Sequence, residues 1–454
     1  MELDHHGVPR RPRMFPFPAP RVLRGPVGPT PRLIDGGHWG PILRTGLLES
    51  CLRWAREIDD DFVIWAGPSP RVIVVRPESA RRVLLGGHDF VRNALPTSNL
   101  FGYGLLRLEG APWRRRRDAL APAFSPEAMR VAIEIIHDET DHLIDRWATR
   151  SGTFRPARDL SFAMLRVLGR FSFGVDFDEE RHTGKMLHRA LITLSTDTVI
   201  RHLLGRAAST MIHGRAVRRA LRRLDRACAE ILEVGRDTPL MNALRSLLRA
   251  GELDRRTVLA ELRTLLVAGH ETSATALSWA VAMLAQYPEL AGPLREDGLV
   301  ARAVTEPRQA QRLHAALRWV RETMRLYPPV PLSVSQSTRA LTLGRVEMPA
   351  RCRVDVLSFI LHRSPSLWAD PEEFRPERFL TKPRPGSYFP FLVGPHTCMG
   401  IHLAMLELPL VLSRLAASFD FELPDGPPEV NLRISLHPKN FTARVRARAG
   451  GGAG

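Results

Sequence analysis

The sequence predicts a mainly α-helical protein with a minor β region, folded as a single large domain of most of its 454 residues. Three observations carry that expectation. Apolar residues recur at helical spacing over most of the chain beyond Pro77, short β-branched and aromatic runs are confined to three patches, and neither a repeat nor a Gly/Ser-rich linker divides the sequence. With 44% hydrophobic and 25% charged residues, the make-up is that of a globular protein with a large core, which excludes disorder along the whole chain. At ~150 residues per domain, length alone argues for three domains. The unbroken pattern argues for one.

Taken in order, residues 1–31 read as an extended leader rich in Pro and Arg, without the apolar run of ~18 residues that a membrane span needs. Residues 62–65 and 72–75, set around Gly67, Pro68, Ser69 and Pro70, read as a β-hairpin. Helical patterns follow at 77–86, 112–120, 127–149, 159–174, 184–235 in pieces, 254–286, 308–327 and 399–418, with further β patches at 335–356 and 430–447. The body of the fold therefore occupies 32–447, and 448–454 reads as a flexible Gly-rich tail. The 254–286 helix has an N-cap in Asp254, stops before Pro288 and would be about 48 Å long. Its flanks are apolar on most sides, yet its centre holds Ala268, Gly269, His270, Glu271, Thr272 and Ser273. A carboxylate buried there is expensive unless it is paired or used.

Lys and Arg number 65 against 48 for Asp and Glu, a formal charge of +17, and only Lys185, Lys382 and Lys439 are lysines. A basic balance invites nucleic acid, anionic lipid or an acidic protein as partner. The arginines are scattered through every helical segment, no zinc-finger or RNP1-type motif accompanies them, and the skew reads as a GC-rich coding bias; nucleic acid is not expected. Cys51, Cys228, Cys352 and Cys398 form no CxxC pair, which predicts reduced thiols in a cytoplasmic protein.

The strongest local signal runs from Phe391 through Gly394, His396 and Cys398 to Gly400, directly before a helix with Ala404 in its first turn. A cysteine at a helix N-terminus has its thiolate stabilised by backbone amides and the helix dipole, and the flanking glycines allow something flat and bulky to approach. His396, Cys398 and His402 also read as zinc ligands, although no paired spacing elsewhere completes a set. Glu322 and Arg325 form one of several i, i+3 pairs; the others, such as Glu78/Arg81 and Glu127/Arg130, are ordinary surface decoration. The pair at 322 differs in its setting, with Pro328, Pro329 and Pro331 breaking the helix at once and Phe374, Arg378 and Phe379 downstream.

The motifs Ala268-Gly269-His270-Glu271-Thr272-Ser273, Glu322-x-x-Arg325, Phe374 to Phe379 and Phe391-x-x-Gly394-x-His396-x-Cys398-x-Gly400 follow one another in that order, with Trp113 and Arg117 upstream. Together they resemble the cytochrome P-450 family of haem-thiolate monooxygenases, of the soluble bacterial type, over nearly the whole chain. The resemblance implies a domain enclosing haem b between the long central helix and the cysteine-loop helix, with Cys398 as axial thiolate on iron. It implies that Glu322, Arg325 and Arg378 fix the cysteine loop, and that Trp113, Arg117 and His396 hold the propionates. Ala268, Gly269, Phe391, Gly394, Gly400 and Ala404 would surround the cofactor. Glu271 and Thr272 match the acid–alcohol pair that delivers protons, with Gly269 opening the helix beside them. Leu392 and Gln336 depart from the commoner pattern, at positions where glycine and a basic residue are frequent.

By the same resemblance the partners are O2, a lipophilic small molecule, and a ferredoxin with its ferredoxin reductase, acting on a monomer in secondary metabolism. Arg114, Arg115 and Arg116 would receive the acidic ferredoxin. Substrate contacts are expected from Phe90, Leu100, Phe101, Tyr103 and Leu105, from Leu187, Leu191, Leu194 and Ile200, and from 330–334, residues that read equally well as core. A peroxide-driven peroxygenase and a catalyst of oxidative coupling or cyclisation are the alternative activities.

Overall fold

The computed structural model describes residues 25, 38–65, 70–92, 98–177 and 182–448. The leader apart from Gly25, the turn of the first hairpin at 66–69 and the tail beyond 448 lie outside the described residues. The architecture is mainly helical with a minor β region, as the periodicity predicts.

The organising element is the central helix, Arg255–Gln286. The Asp254 side chain caps it by accepting the Thr257 N–H at 2.7 Å, and it ends at Tyr287, one residue before Pro288. It joins two hydrophobic clusters. Leu262, Leu266 and Val267 of its first half pack with Leu168, Leu191 and Leu224, whereas Leu277, Trp279 and Val281 pack with Ile133, Val167, Leu410 and Leu412. Each such buried side chain contributes about 1.5–3 kcal/mol, so the helix ties both halves of the molecule to one axis. The helix Ile401–Ser418 is apolar enough to cross a membrane by length and composition, but its Leu406, Leu410 and Leu415 are core residues here.

The β region centres on a five-stranded sheet. Its strands are β1 (Phe62–Trp65), β2 (Pro70–Val74), β3 (Phe90–Arg92), β4 (Ser333–Ser337) and β7 (Arg353–Val356); β5 (Leu341–Leu343) and β6 (Val346–Met348) form a hairpin between the last two. The order is β1-β2-β7-β4-β3, with β2 and β7 parallel and the other pairs antiparallel. Val72 is in register with Val354, and Val91 and Arg92 with Gln336 and Ser335. Near the C-terminus β8 (Phe419–Glu422) pairs with β11 (Arg444–Ala447), and β9 (Glu429–Leu432) with β10 (Leu436–Lys439).

Several boundaries differ from the sequence expectation for local reasons. The 159–174 helix ends at Leu168, continues as a π turn and stops at Gly174, whose φ of 62° is left-handed. The 308–327 helix is two, Pro307–Ala310 and His314–Leu326, because the His314 N–H turns back to the Arg312 carbonyl at 2.8 Å. The pieces expected over 184–235 are continuously helical from His182 to Val234. That segment nevertheless folds back: the Ser209 hydroxyl donates to Asp197, which twelve residues of straight helix would hold about 18 Å away. Helices Trp39–Thr45 and Leu47–Ile58, separated by Gly46 with φ 86°, were not expected.

Candidate active site

Glu322 and Arg325 lie on the last turns of His314–Leu326, and neither side chain is exposed at all. The pairing is bidentate, with Arg325 Nε donating to Oε2 at 2.7 Å and Nη2 to Oε1 at 2.8 Å. Arg378 Nε adds a bond to Oε1 at 2.9 Å and the Arg375 backbone N–H another at 2.9 Å. Arg325 also donates to the carbonyls of His362, Pro371 and Glu373, so every donor of the fork is used. Two cations on one buried carboxylate are stable only because these hydrogen bonds replace the lost water. The three residues that the motifs single out are thus one cluster.

That cluster reaches the cysteine loop through His362. Its Nε2 accepts the Phe389 N–H at 3.1 Å, which fixes the ring as the neutral tautomer bearing its proton on Nδ1. Burial, reinforced by the charges of Arg325 and Arg363, pushes its pKa down to about 3. Because the folded value lies below the ordinary ~6.5, the stabilisation is full above that pH and is lost as pH falls towards 3. His362→Gln should therefore flatten the acid limb of stability, which this histidine steepens by roughly 1.4 kcal/mol per pH unit across the window. Urea unfolding at a series of pH values checks it; an unchanged limb would place the acid sensitivity elsewhere.

Beyond Phe389 the chain makes two tight turns. The Leu392 N–H bonds the Phe389 carbonyl at 3.0 Å and the Thr397 N–H bonds Gly394 at 3.1 Å. Gly394 has φ 79°, and a Cβ there would meet the Leu84 carbonyl and Leu85 within 3.2 Å, so the position needs glycine. Leu392 takes a left-handed φ of 60° where glycine was the frequent residue, a strained choice held by packing against the sheet cluster. The Cys398 N–H then closes the loop on the Phe391 carbonyl at 2.9 Å. Cys51, Cys228 and Cys352 are buried, whereas Cys398 is exposed, three residues before the first residue of the helix Ile401–Ser418. Surrounding chain still crowds the thiol: burial raises its pKa, and the Gly400 N–H and the Arg117 charge act in the opposite direction. A Cβ on Gly400 would meet nothing but the Cys398 sulfur, at 3.9 Å, and the Ala404 N–H bonds the Gly400 carbonyl at 2.9 Å. The loop thus presents a thiol on a flat, uncluttered backbone.

Trp113, Arg117 and His396 converge as expected, on the helix Gly110–Leu120 and the loop. Trp113 and His396 meet edge to face at 4.4 Å, and the Arg117 guanidinium lies 5.5 Å from the indole. His396 is not wholly available, because its Nε2 lies 3.2 Å from Glu109 Oε2. Its buried Nδ1 has no hydrogen-bond partner. Sequence reasoning missed a further cation here. Arg92, on β3, has a buried Nε that makes no hydrogen bond and stands 3.6 Å from Glu109. Strand pairing sets Arg92 opposite Ser335 and Val91 opposite Gln336, and Gln336 itself bonds the Arg351 carbonyl, so the further cation comes from β3 and not from the Gln336 position on β4. The orphaned Nε donor of Arg92, next to Arg117, suits a bound carboxylate; the site therefore fits a flat dicarboxylic cofactor such as haem b.

The central helix corrects one expectation. Gly269 does not open it: the helix is continuous, and a Cβ at 269 would lie 2.7 Å from Leu168, so the glycine allows close helix packing. Glu271 and Thr272 make separate hydrogen bonds. The Thr272 hydroxyl donates to the Ala268 carbonyl at 2.8 Å, on a stripe where Ala268 is exposed in an otherwise buried stretch. Glu271 turns to another face, accepting from Ser195 at 3.2 Å, Ser435 at 3.1 Å and His437 Nε2 at 3.0 Å. Burial alone would raise its carboxyl; the bond and charge of His437, then His270 and Ser435, outweigh that and hold it below its ordinary value.

Among the described residues, Cys398, His396 and His402 form no convergent zinc set. Asp138, Glu139 and His142 do converge, with both carboxylates already paired to Arg170. Of the proposed docking arginines, Arg114 and Arg115 are exposed, but Arg116 is turned inward onto buried Glu261. Of the expected substrate contacts, Leu100, Phe101, Leu187, Leu191 and Leu194 sit in the cluster that also holds Val267 of the central helix, and Phe90 is ordinary sheet core.

Comparison with known proteins agrees with this geometry. The family described as "Cytochrome P450" matches residues 26–445. The chain is similar to a cytokinin hydroxylase of Arabidopsis thaliana, 26% identical over 83% of this chain and 79% of that one. It is likewise similar to an 11-oxo-beta-amyrin 30-oxidase of Glycyrrhiza uralensis, 27% identical over 83% and 78%. A putative cytochrome P450 137 of Mycobacterium tuberculosis is 30% identical over 81% of this chain and 76% of the other. With the family matched along nearly the whole fold, the chain belongs to the cytochrome P450 family: it is a haem-thiolate monooxygenase that binds haem b.

Proposed function

We propose that this enzyme inserts one atom of O2 into a lipophilic small molecule, by hydroxylation or epoxidation, with Cys398 as the axial thiolate. The observation that carries the reading is the Cys398 loop, a solvent-facing thiol locked by the Phe391 carbonyl and backed by the buried Glu322 cluster. Haem held by a thiolate supplies the oxygen-activating chemistry. The protein's part is to hold and deliver. Arg92, Trp113, Arg117 and His396 would take the propionates, and Ala268, small and exposed, would leave room for the cofactor beside the central helix. The Thr272 hydroxyl is the nearest proton carrier on that stripe, and Glu271 the acid that recharges it once its carboxyl swings from its present partners.

The relatives named as a hydroxylase and an oxidase support the reaction class, and the family match supports a lipophilic substrate. In this reading the enzyme works as a soluble, cytoplasmic monomer of bacterial type in secondary metabolism, and a separate ferredoxin and its reductase supply electrons. Exposed Arg114 and Arg115, on the same helix as Trp113, are the docking charges for an acidic donor. Thr272→Ala should uncouple the enzyme, consuming electrons at a near-normal rate while product per electron falls by about 10-fold or more. Simultaneous assay of NAD(P)H consumed and product formed checks this. Unchanged coupling would move proton delivery off Thr272.

A further inference from the structure

The central helix has a second functional face. Ala268 and Thr272 lie on one stripe; about 100° round the helix, His270, Glu271, Ala274 and Ser278 line a separate cleft with a volume of about 320 Å³. Its walls come from three other segments: Arg155 and Arg158 at the start of the helix Pro156–Leu168, Ile192 on the helix His182–Val234, and Arg433, His437 and Lys439 on the β9–β10 hairpin. Glu271 forms the floor, and His437 stands directly over it with 23% of its side chain exposed. Nε2 of the ring faces Glu271 Oε1 at 3.0 Å and Nδ1 faces the Thr275 hydroxyl at 3.3 Å. The imidazole is therefore the group that touches both solvent and the buried carboxylate.

Charge is ordered along this cleft. Arg155, Arg158, Arg433 and Lys439, the last held by Glu429 at 2.8 Å, ring the mouth, and the floor is an ionised carboxylate beside His270. The potential falls inward, so a proton taken up by the ring is drawn towards Glu271.

We propose that this cleft is the inlet for the protons used at Thr272, and that His437 takes them from solvent and positions Glu271 to receive them. The proposal rests on the proton-delivery reading above and adds the route. Each cycle moves one proton and no electron. Nδ1, turned from the Thr275 hydroxyl into the cleft, accepts a proton from water, Nε2 releases its own to Glu271 Oε1, and the neutral carboxyl leaves Ser435 to pass the proton to the Thr272 side.

The test is His437→Gln in the haem-loaded enzyme, since glutamine keeps an N–H donor for Glu271 but cannot relay. Haem content, the thiolate spectrum and substrate affinity should stay as in the unmodified enzyme, while product per electron drops by ~10-fold or more and the solvent deuterium effect grows. Normal coupling with an unchanged isotope effect in His437→Gln would overturn the proposal. Should that variant fail to fold, Ile192→Trp, plugging the cleft from an exposed position, must cause the same loss; normal coupling there is equally fatal. Failure of the haem-thiolate reading would show separately, as an unshifted carbon monoxide spectrum in the unmodified enzyme.

Discussion

Replacing Glu322 by alanine should leave a protein that does not retain haem and, in most preparations, does not fold. The side chain is completely buried and accepts hydrogen bonds from Arg325, Arg378 and the Arg375 backbone. Removing it strands a fully buried guanidinium together with a second, nearly buried one. Breaking a buried pair from one side costs about 3–5 kcal/mol, a large part of the ~5–15 kcal/mol that holds a typical domain together. The damage is also local to the chemistry, because Arg325 donates to the His362 carbonyl and His362 in turn holds the Phe389 end of the cysteine loop. Glu322→Gln keeps the shape and part of the hydrogen bonding, so it should fall between the two. Haem content per protein and thermal unfolding of the purified variants measure both effects. A stable, haem-loaded Glu322→Ala protein would show that the cluster is dispensable.

Cys398→Ala should do the reverse, preserving the fold and abolishing the activity. The loop is closed by backbone bonds, from the Cys398 N–H to Phe391 and from Thr397 to Gly394, which the substitution leaves intact. Apart from holding the cofactor the sulfur fills no core space, so the stability of the haem-free chain should change by less than about 1 kcal/mol. The imidazole on the same loop, His396, has its Nε2 turned to Glu109 and its ring set against Trp113. Monooxygenase turnover should drop below detection with an unchanged circular dichroism spectrum. Turnover surviving in the variant would remove Cys398 from the chemistry.

Much of this site was legible before any coordinates. Glu322, Arg325 and Arg378 lie on segments whose order the motifs record, and Asp254 capped the central helix as its residue type required. What escaped depends on packing between distant segments. Arg92 and Glu109 join the Trp113, Arg117 and His396 cluster only through the register of β3 against β4 and the contact of Glu109 with His396. The resemblance matched Glu271 and Thr272 to an acid–alcohol pair but not the partners that each takes. A helix turns neighbours about 100° apart, and Ser195, Ser435 and His437, from two other segments, claimed the carboxylate. Gly269 was misread because a sequence does not show which side chain approaches a glycine, here Leu168.

The most direct test of the haem-thiolate assignment is the absorption spectrum of the purified, haem-loaded protein after reduction and addition of carbon monoxide. Thiolate ligation by Cys398 predicts a strongly red-shifted Soret band that Cys398→Ala loses. An unshifted band in the unmodified protein, or a red-shifted band that survives in Cys398→Ala, would contradict it.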